Sequence, residues 1–181
     1  KIKIVIESGA EHSLPEYQEW RGLLKKKKVP VIIADVGQRL NLGQNAKMET
    51  LSPFKNFYGE SPKNIHDAMI TSRLEYGNTS ILFMGDAEKS LEYQLVFQGK
   101  SIDSDILKAG HHGSKTSSSE EFLKAVSPRL AIISAGRKNR YGHPHQEVLD
   151  RLEKLGIYIK RTDMEGDIII KSDGLGYQFV K

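Results

Sequence analysis

Four of the six histidines stand in two short clusters, each flanked by glycine and each downstream of an apolar run. Gly110-His111-His112-Gly113-Ser114 follows Ile106-Leu107-Lys108-Ala109, and Gly142-His143-Pro144-His145 follows Ala131-Ile132-Ile133-Ser134-Ala135 after a short loop. A third apolar run, Ile81-Leu82-Phe83-Met84, ends in Gly85-Asp86. Imidazole nitrogen and carboxylate oxygen are donors that zinc and manganese accept, and a catalytic site of this kind keeps a position open for water. An ion so held acidifies its water and supplies a nucleophile for ester, amide or phosphodiester cleavage without a Ser or Cys. The chain has no cysteine, which removes thiol nucleophiles, Cys-based zinc sites and disulfide scaffolds at once.

Taken singly, each feature has an ordinary reading. Asp after Gly favours turns. His111 and His112 are adjacent, and successive side chains on a strand point to opposite faces, so one of them is structural unless the loop turns both inward. His143 could cap a helix starting at Pro144, and His145 could lie exposed in its first turn. Co-occurrence at three strand ends is what favours a common site, because open α/β sheets bind ligands at the carboxyl rim of their strands. His12 sits in a polar loop and receives no role. Lys115, Arg137, Lys138 and Arg140 flank the His clusters and favour a phosphate-bearing substrate. The run from Lys25 to Lys28 reads as a solvated helix end, where cations suit the helix dipole. No aromatic–basic interleaving marks a dedicated nucleic-acid platform.

The elements that must position these residues alternate. Apolar runs at residues 2–6 and 31–33 read as strands around a helix over 15–28, in which Tyr17, Trp20, Leu23 and Leu24 share a face. Residues 41–59 look like hairpin and loop, with a strand over 48–51. Strands over 69–76 and 80–84 joined at Gly77-Asn78 form a hairpin. A helix over 88–97, a strand over 105–109 and a helix from Glu120 follow, the last with Ser118 and Glu121 spaced as a capping box. A strand over 130–134 leads to a helix with Pro144 in its first turn, a Val148, Leu149, Leu152 and Leu155 stripe, and Gly156 at its end. Strands over 157–160, 167–171 and 177–180 complete an α/β pattern of helices on sheet. With 181 residues, 38% hydrophobic, 28% charged and a net charge of +4, one domain is expected, and disorder in bulk is not. No apolar run approaches the roughly 18 residues of a membrane-spanning helix.

Residues 74–174 resemble the metallo-β-lactamase superfamily, and most closely its ComEC-like branch: the extracytoplasmic domain of that competence protein and stand-alone hydrolase relatives. The resemblance rests on Phe83-Met84-Gly85-Asp86-Ala87, on Asp105 through Ser114 with its Gly-His-His-Gly-Ser, and on Asn139-Arg140-Tyr141-Gly142-His143-Pro144-His145, in this order and spacing. It implies an αββα sandwich. By position it implies Asp86 as a metal-bridging carboxylate, with His111, His143 and His112 as further metal ligands. Asp86, His111 and His112 would then carry catalysis. Asn139, Tyr141 and Lys115 would face the substrate or support the ligands. His66, aligned with the family's Asn-x-x-Ser segment together with Met69, is a further ligand candidate.

The superfamily's His-x-His/Asp-x-Asp-His loop does not occur in this sequence, and residues 1–60 match only in general layout. Asp35-Val36-Gly37-Gln38 resembles the family's opening strand motif, but Arg-Leu-Asn follows and no His-rich loop comes after it; the match is taken as coincidental. The expectation is therefore a single partial domain over 1–181, the C-terminal two-thirds of a longer one, holding part of a two-metal site for zinc or manganese. Weak metal binding and little hydrolysis are expected from these residues alone, because losing ligands lowers affinity. The resemblance further implies a phosphodiesterase acting on DNA beside a membrane channel, in an extracytoplasmic setting. Two rivals remain: a non-catalytic docking module that kept the fold, and a soluble secreted hydrolase of unknown substrate.

Overall fold

Apolar runs of three to five residues between amphipathic stretches can bury themselves only as a sheet covered by helices. The computed structural model describes residues 2–99 and 101–180, and within them eleven strands and five α-helices form. β1 (Val5–Glu7) and β2 (Val31–Ile33) pair in parallel across α1 (Pro15–Lys26). The main sheet has seven strands in spatial order: β3 (Arg39–Gly43), β4 (Ala46–Ser52), β5 (Thr71–Tyr76), β6 (Thr79–Phe83), β7 (Ile106–Lys108), β8 (Leu130–Ile133) and β9 (Tyr158–Arg161). Pairing is antiparallel from β3 to β6 and parallel from β6 to β9. Parallel neighbours require crossovers, here α2 (Lys89–Phe97), α3 (Glu120–Val126) and α4 (Gln146–Lys154). α5 (Thr162–Glu165) is a single turn after β9, and β10 (Ile170–Ser172) pairs antiparallel with β11 (Tyr177–Phe179). This is the expected α/β class, built on one large mixed sheet with two further two-stranded sheets.

Register explains the core. Leu82, Leu107 and Ala131 are matched across β6, β7 and β8, and all three are fully buried. They pack with Leu91 and Leu95 of α2, Phe122, Leu123 and Val126 of α3, and Val148, Leu149 and Leu152 of α4. Right-handed crossovers of one progression place their helices on the same side of a sheet.

Four local expectations differ from the structure. The α1 face is only partly covered: Leu24 is buried, but Trp20 and Leu23 are exposed. β3 escapes the apolar-run criterion because Arg39, Asn41 and Gly43 are polar or small, as suits an edge strand. α4 begins at Gln146 with His145 as its N-cap residue, so Pro144 precedes the helix instead of opening it. The Ser118–Glu121 capping box does not form. Ser118 adopts a positive φ of 54°, and Ser119 takes the N-cap position without a side-chain hydrogen bond.

That helix start is instead satisfied from α2. The fully buried Glu92 carboxylate accepts the backbone N–H of Ser118 and, at 2.8 Å, that of Ser119. Arg151 of α4 donates to the carbonyls of Ser117 and Ser118. A carboxylate offers two acceptors where an amide offers one. Glu92→Gln would therefore set an N–H group against a backbone N–H and cost about 1–3 kcal/mol. A lowered urea midpoint with an unchanged slope is the expected reading; an unchanged midpoint would show that the contact contributes nothing.

Candidate metal centre

The register Phe83, Lys108 and Ile132 sets β6, β7 and β8 with their carboxyl ends along one edge. Each strand continues into a loop carrying candidate ligands. After β6, fully buried Met84 anchors the chain and Gly85 turns it at φ 53°. A Cβ on Gly85 would lie 2.7 Å from the Met69 sulfur, so glycine lets the chain turn to Asp86 without displacing that side chain. After β7, the backbone leaves the strand at Ala109. His111 and His112 both take positive φ, 44° and 56°, so strand alternation no longer separates them. Ser117 Oγ closes this loop by donating to the Gly110 carbonyl at 2.8 Å.

After β8, the loop to His143 is pinned by Asn139. Its amide donates to the carbonyls of Gly136 at 2.9 Å and His143 at 2.6 Å, and accepts the His143 N–H at 2.9 Å. Asn139 thus holds the His143 loop, and these contacts occupy both ends of its amide. Tyr141 stacks on His143, with centroids 5.7 Å apart at 22°, and is 61% exposed. Lys115 is exposed. Its backbone N–H donates to His145 Nδ1 at 3.3 Å, and its side chain makes no ion pair among the described residues.

Two groups of donors converge on the rim, and His111 adjoins both. In the first, His66, Glu88 and His111 each offer a ligand atom, all within 4.8 Å of one another. His66 arrives on a 3-10 turn, Ile65–Ala68, capped by Asn64, and its ring lies 4.6 Å from that of His111. Glu88, at the start of α2, accepts from Thr116 Oγ1 at 2.9 Å and lies 3.5 Å from His111 Nδ1. In the second group, His112 Nε2 lies 3.4 Å from Asp86 Oδ1. The ring of His143 is 6.4 Å from that of His112 and 5.7 Å from that of His111. His112 Nδ1 lies 2.6 Å from the Ser134 carbonyl. A carbonyl only accepts, so Nδ1 donates there, and that hydrogen bond orients the ring with Nε2 toward Asp86.

Electrostatics favour the donor forms. Burial alone would raise the Glu88 carboxyl, but hydrogen bonds from Thr116 and Asn64 and the imidazoles of His66 and His111 leave it below its ordinary range. Burial, followed by the neighbouring His145, His111 and His112, lowers His143 and outweighs the pull of Asp86; the ring therefore stays neutral more readily. Burial likewise lowers the Lys108 ammonium, against the pull of Asp86. The nitrogen and carboxylate donor set suits zinc or manganese. His66 Nδ1 is buried without a hydrogen-bond partner among the described residues, as a donor awaiting a cation would be.

Glu88 is the residue that sequence reasoning missed. An acid at the start of a helix reads as a helix-end charge. The available signal was its place two residues beyond Asp86, in Gly85-Asp86-Ala87-Glu88.

A layered α/β protein with imidazoles and carboxylates at the carboxyl rim of parallel strands is the class that fold and site define. Among curated proteins, the chain is 43% identical over 107 residues to ComE operon protein 3 of Bacillus subtilis (strain 168), covering 59% of this chain and 14% of that one. It is 41% identical over 122 residues to competence protein ComA of Neisseria gonorrhoeae, covering 66% and 17%. It is 39% identical over 105 residues to recombination protein 2 of Haemophilus influenzae, covering 58% and 13%. The resemblance to the ComEC-like branch, first carried by three motifs, is borne out. The chain spans only 13% to 17% of the length of these relatives. No family model matches it. Among solved structures, the CmlA beta-hydroxylase shares 15% identity at a TM-score of 0.48 over 77% of this chain and 34% of that one, too distant to bear on function. Among the described residues, no helix is long and apolar enough to cross a membrane.

Proposed function

We propose that this chain is the substrate-facing part of a metal-dependent hydrolase domain of the metallo-β-lactamase type. The proposed reaction is phosphodiester cleavage of DNA in uptake machinery beside a membrane channel, on the extracytoplasmic side. The observation that carries this reading is the delivery of Asp86, His111, His112 and His143 to one rim by three adjacent parallel strands, with His66 and Glu88 alongside. His66, Glu88 and His111 would hold one divalent ion, and Asp86, His112 and His143 would contribute to a second in the complete domain. A cation there supplies Lewis acidity and an acidified water when bound.

The chain's own residues do the rest. Ser134 orients the His112 ring, Thr116 and Asn64 orient Glu88, and Asn139 holds the His143 loop. Lys115, Arg137, Lys138 and Arg140 border the rim as cations for phosphate.

Titration of the 181-residue chain with Zn²⁺ and Mn²⁺, followed by hydrolysis of bis(p-nitrophenyl) phosphate, tests the proposal. Weak but saturable binding that depends on the rim histidines, with little turnover, is expected. No binding at all would favour a docking module. Robust metal-dependent nuclease activity that disappears in Asp86→Ala would show that these residues already hold a complete site.

A further inference from the structure

Beside the second group of donors lies an open pocket of about 410 Å³, bounded by His112, Ser134, Ala135, Gly136, Asn139, Tyr141 and His143. Its walls are rings and its floor is small. Tyr141, His143 and His112 present aromatic surfaces, whereas Ala135 and Gly136 leave room below. The volume falls within the range of small-ligand sites.

The pocket is held open by its surroundings. Thr162 Oγ1 accepts the Ala135 N–H at 2.9 Å and donates to the Ala135 carbonyl at 3.0 Å, while Asn139 spans the loop as described. Tyr141 therefore stands 61% exposed on a braced loop, and its neighbour Arg140 lies 4.8 Å over its ring and donates to its Oη at 2.5 Å. Arg137, Lys138 and Arg140 are exposed, and none makes an ion pair among the described residues.

An aromatic slot edged by unpaired cations suits a flat ring on an anionic backbone. We propose that this pocket is a stacking subsite for one unpaired nucleobase of a single-stranded nucleic acid, with Tyr141, backed by Arg140, as its platform and Arg137 and Lys138 engaging the adjoining phosphates. This deepens, and rests on, the reading of the adjacent rim as a phosphodiester site. Base-on-aromatic stacking tolerates any sequence, because every base has a π face, and cations on the same groove follow the backbone. One tyrosine within residues 137–141 is too little interleaving to register in a sequence scan. Folding makes it count by setting His143 and His112 around the same space.

The test uses the metal-free chain, so its outcome is separate from that of hydrolysis. Fluorescence anisotropy at low salt compares a labelled single-stranded oligodeoxynucleotide with an abasic strand of equal length and charge. The base-bearing strand should bind roughly tenfold more tightly, as stacking of one base allows. Tyr141→Ala should reduce its affinity to the abasic level, and Tyr141→Phe should restore it. Gly136→Leu should also remove the preference by filling the pocket, since a Cβ at Gly136 meets only Asn139 Cβ, at 3.7 Å.

Equal binding of both strands by the native chain overturns the proposal. So does no measurable binding of either, or an equal loss for both in Tyr141→Ala. A base preference without any metal binding would sink the hydrolase reading and leave the subsite standing.

Discussion

His111→Ala is expected to lower the apparent affinity for Zn²⁺ or Mn²⁺ by more than about 100-fold, the largest loss of any single rim substitution. Supporting partners of a metal ligand are themselves worth about 10–100-fold, and in the proposed site His111 is a direct donor adjoining both groups. Its ring lies 4.6 Å from that of His66 and 5.7 Å from that of His143, and its Nδ1 lies 3.5 Å from Glu88. His66→Ala and Glu88→Gln each remove one donor from one group and should cost less. His145→Ala should cost least. That ring accepts the Lys115 backbone N–H and so acts on the loops. Isothermal titration of the four variants, with circular dichroism to confirm folding, gives the ranking. If His145→Ala cost as much as His111→Ala, the proposed arrangement of donors would be wrong.

Gly113→Ala should destabilise the chain by about 2–4 kcal/mol. Gly113 has φ +79°, and an added Cβ would lie 2.6 Å from Pro144 Cβ and 3.2 Å from its Cα. Pro144 is buried and rigid, so it cannot swing aside. The strained backbone costs about 1 kcal/mol and overpacking a further 1–3. For a chain of this size the melting temperature should fall by roughly 5–15 °C. The substitution also acts where the two His-bearing loops meet, because His145 N–H donates to the Gly113 carbonyl at 3.0 Å. Metal affinity should therefore fall with stability. Gly22→Ala in α1 is the control: its Cβ meets nothing within 4 Å, and the change should stabilise the chain by about 0.5–1 kcal/mol. Thermal melts of the two variants decide the matter. Equal melting temperatures would mean that the loops do not press on each other at Gly113.

The parallel half of the main sheet was legible because β6, β7 and β8 carry short apolar runs, closed by glycine or a polar loop, that hold the fully buried Leu82, Leu107 and Ala131. β3 was not, since an edge strand has no need of that pattern. The start of α3 was misread for a different reason. Ser118 and Glu121 have the spacing of a capping box, but buried Glu92 lies far away in the chain and satisfies the same N–H groups. The candidate ligands were visible as residue types at strand ends. Their grouping was not: His66 and Glu88 are brought to His111 by a 3-10 turn and a helix start whose convergence is a tertiary fact. The pair His111 and His112 shows the limit most directly. Alternation would part them, and two consecutive positive φ values keep them together.

Every strand of the main sheet lies beside its predecessor in the chain, from β3 through β9. Closure entropy grows only slowly with loop length, so joining each strand to its predecessor adds a modest cost at every step. A chain emerging amino end first, from a ribosome or through a translocation pore, can therefore add each new strand to an edge already made. The His143 loop is the last part of the rim to be added. Until β8 docks, Asp86 and His112 lack His143 and the Ser134 carbonyl, whereas His66, Glu88 and His111 are in place once β7 has paired, so the two groups of donors assemble in sequence.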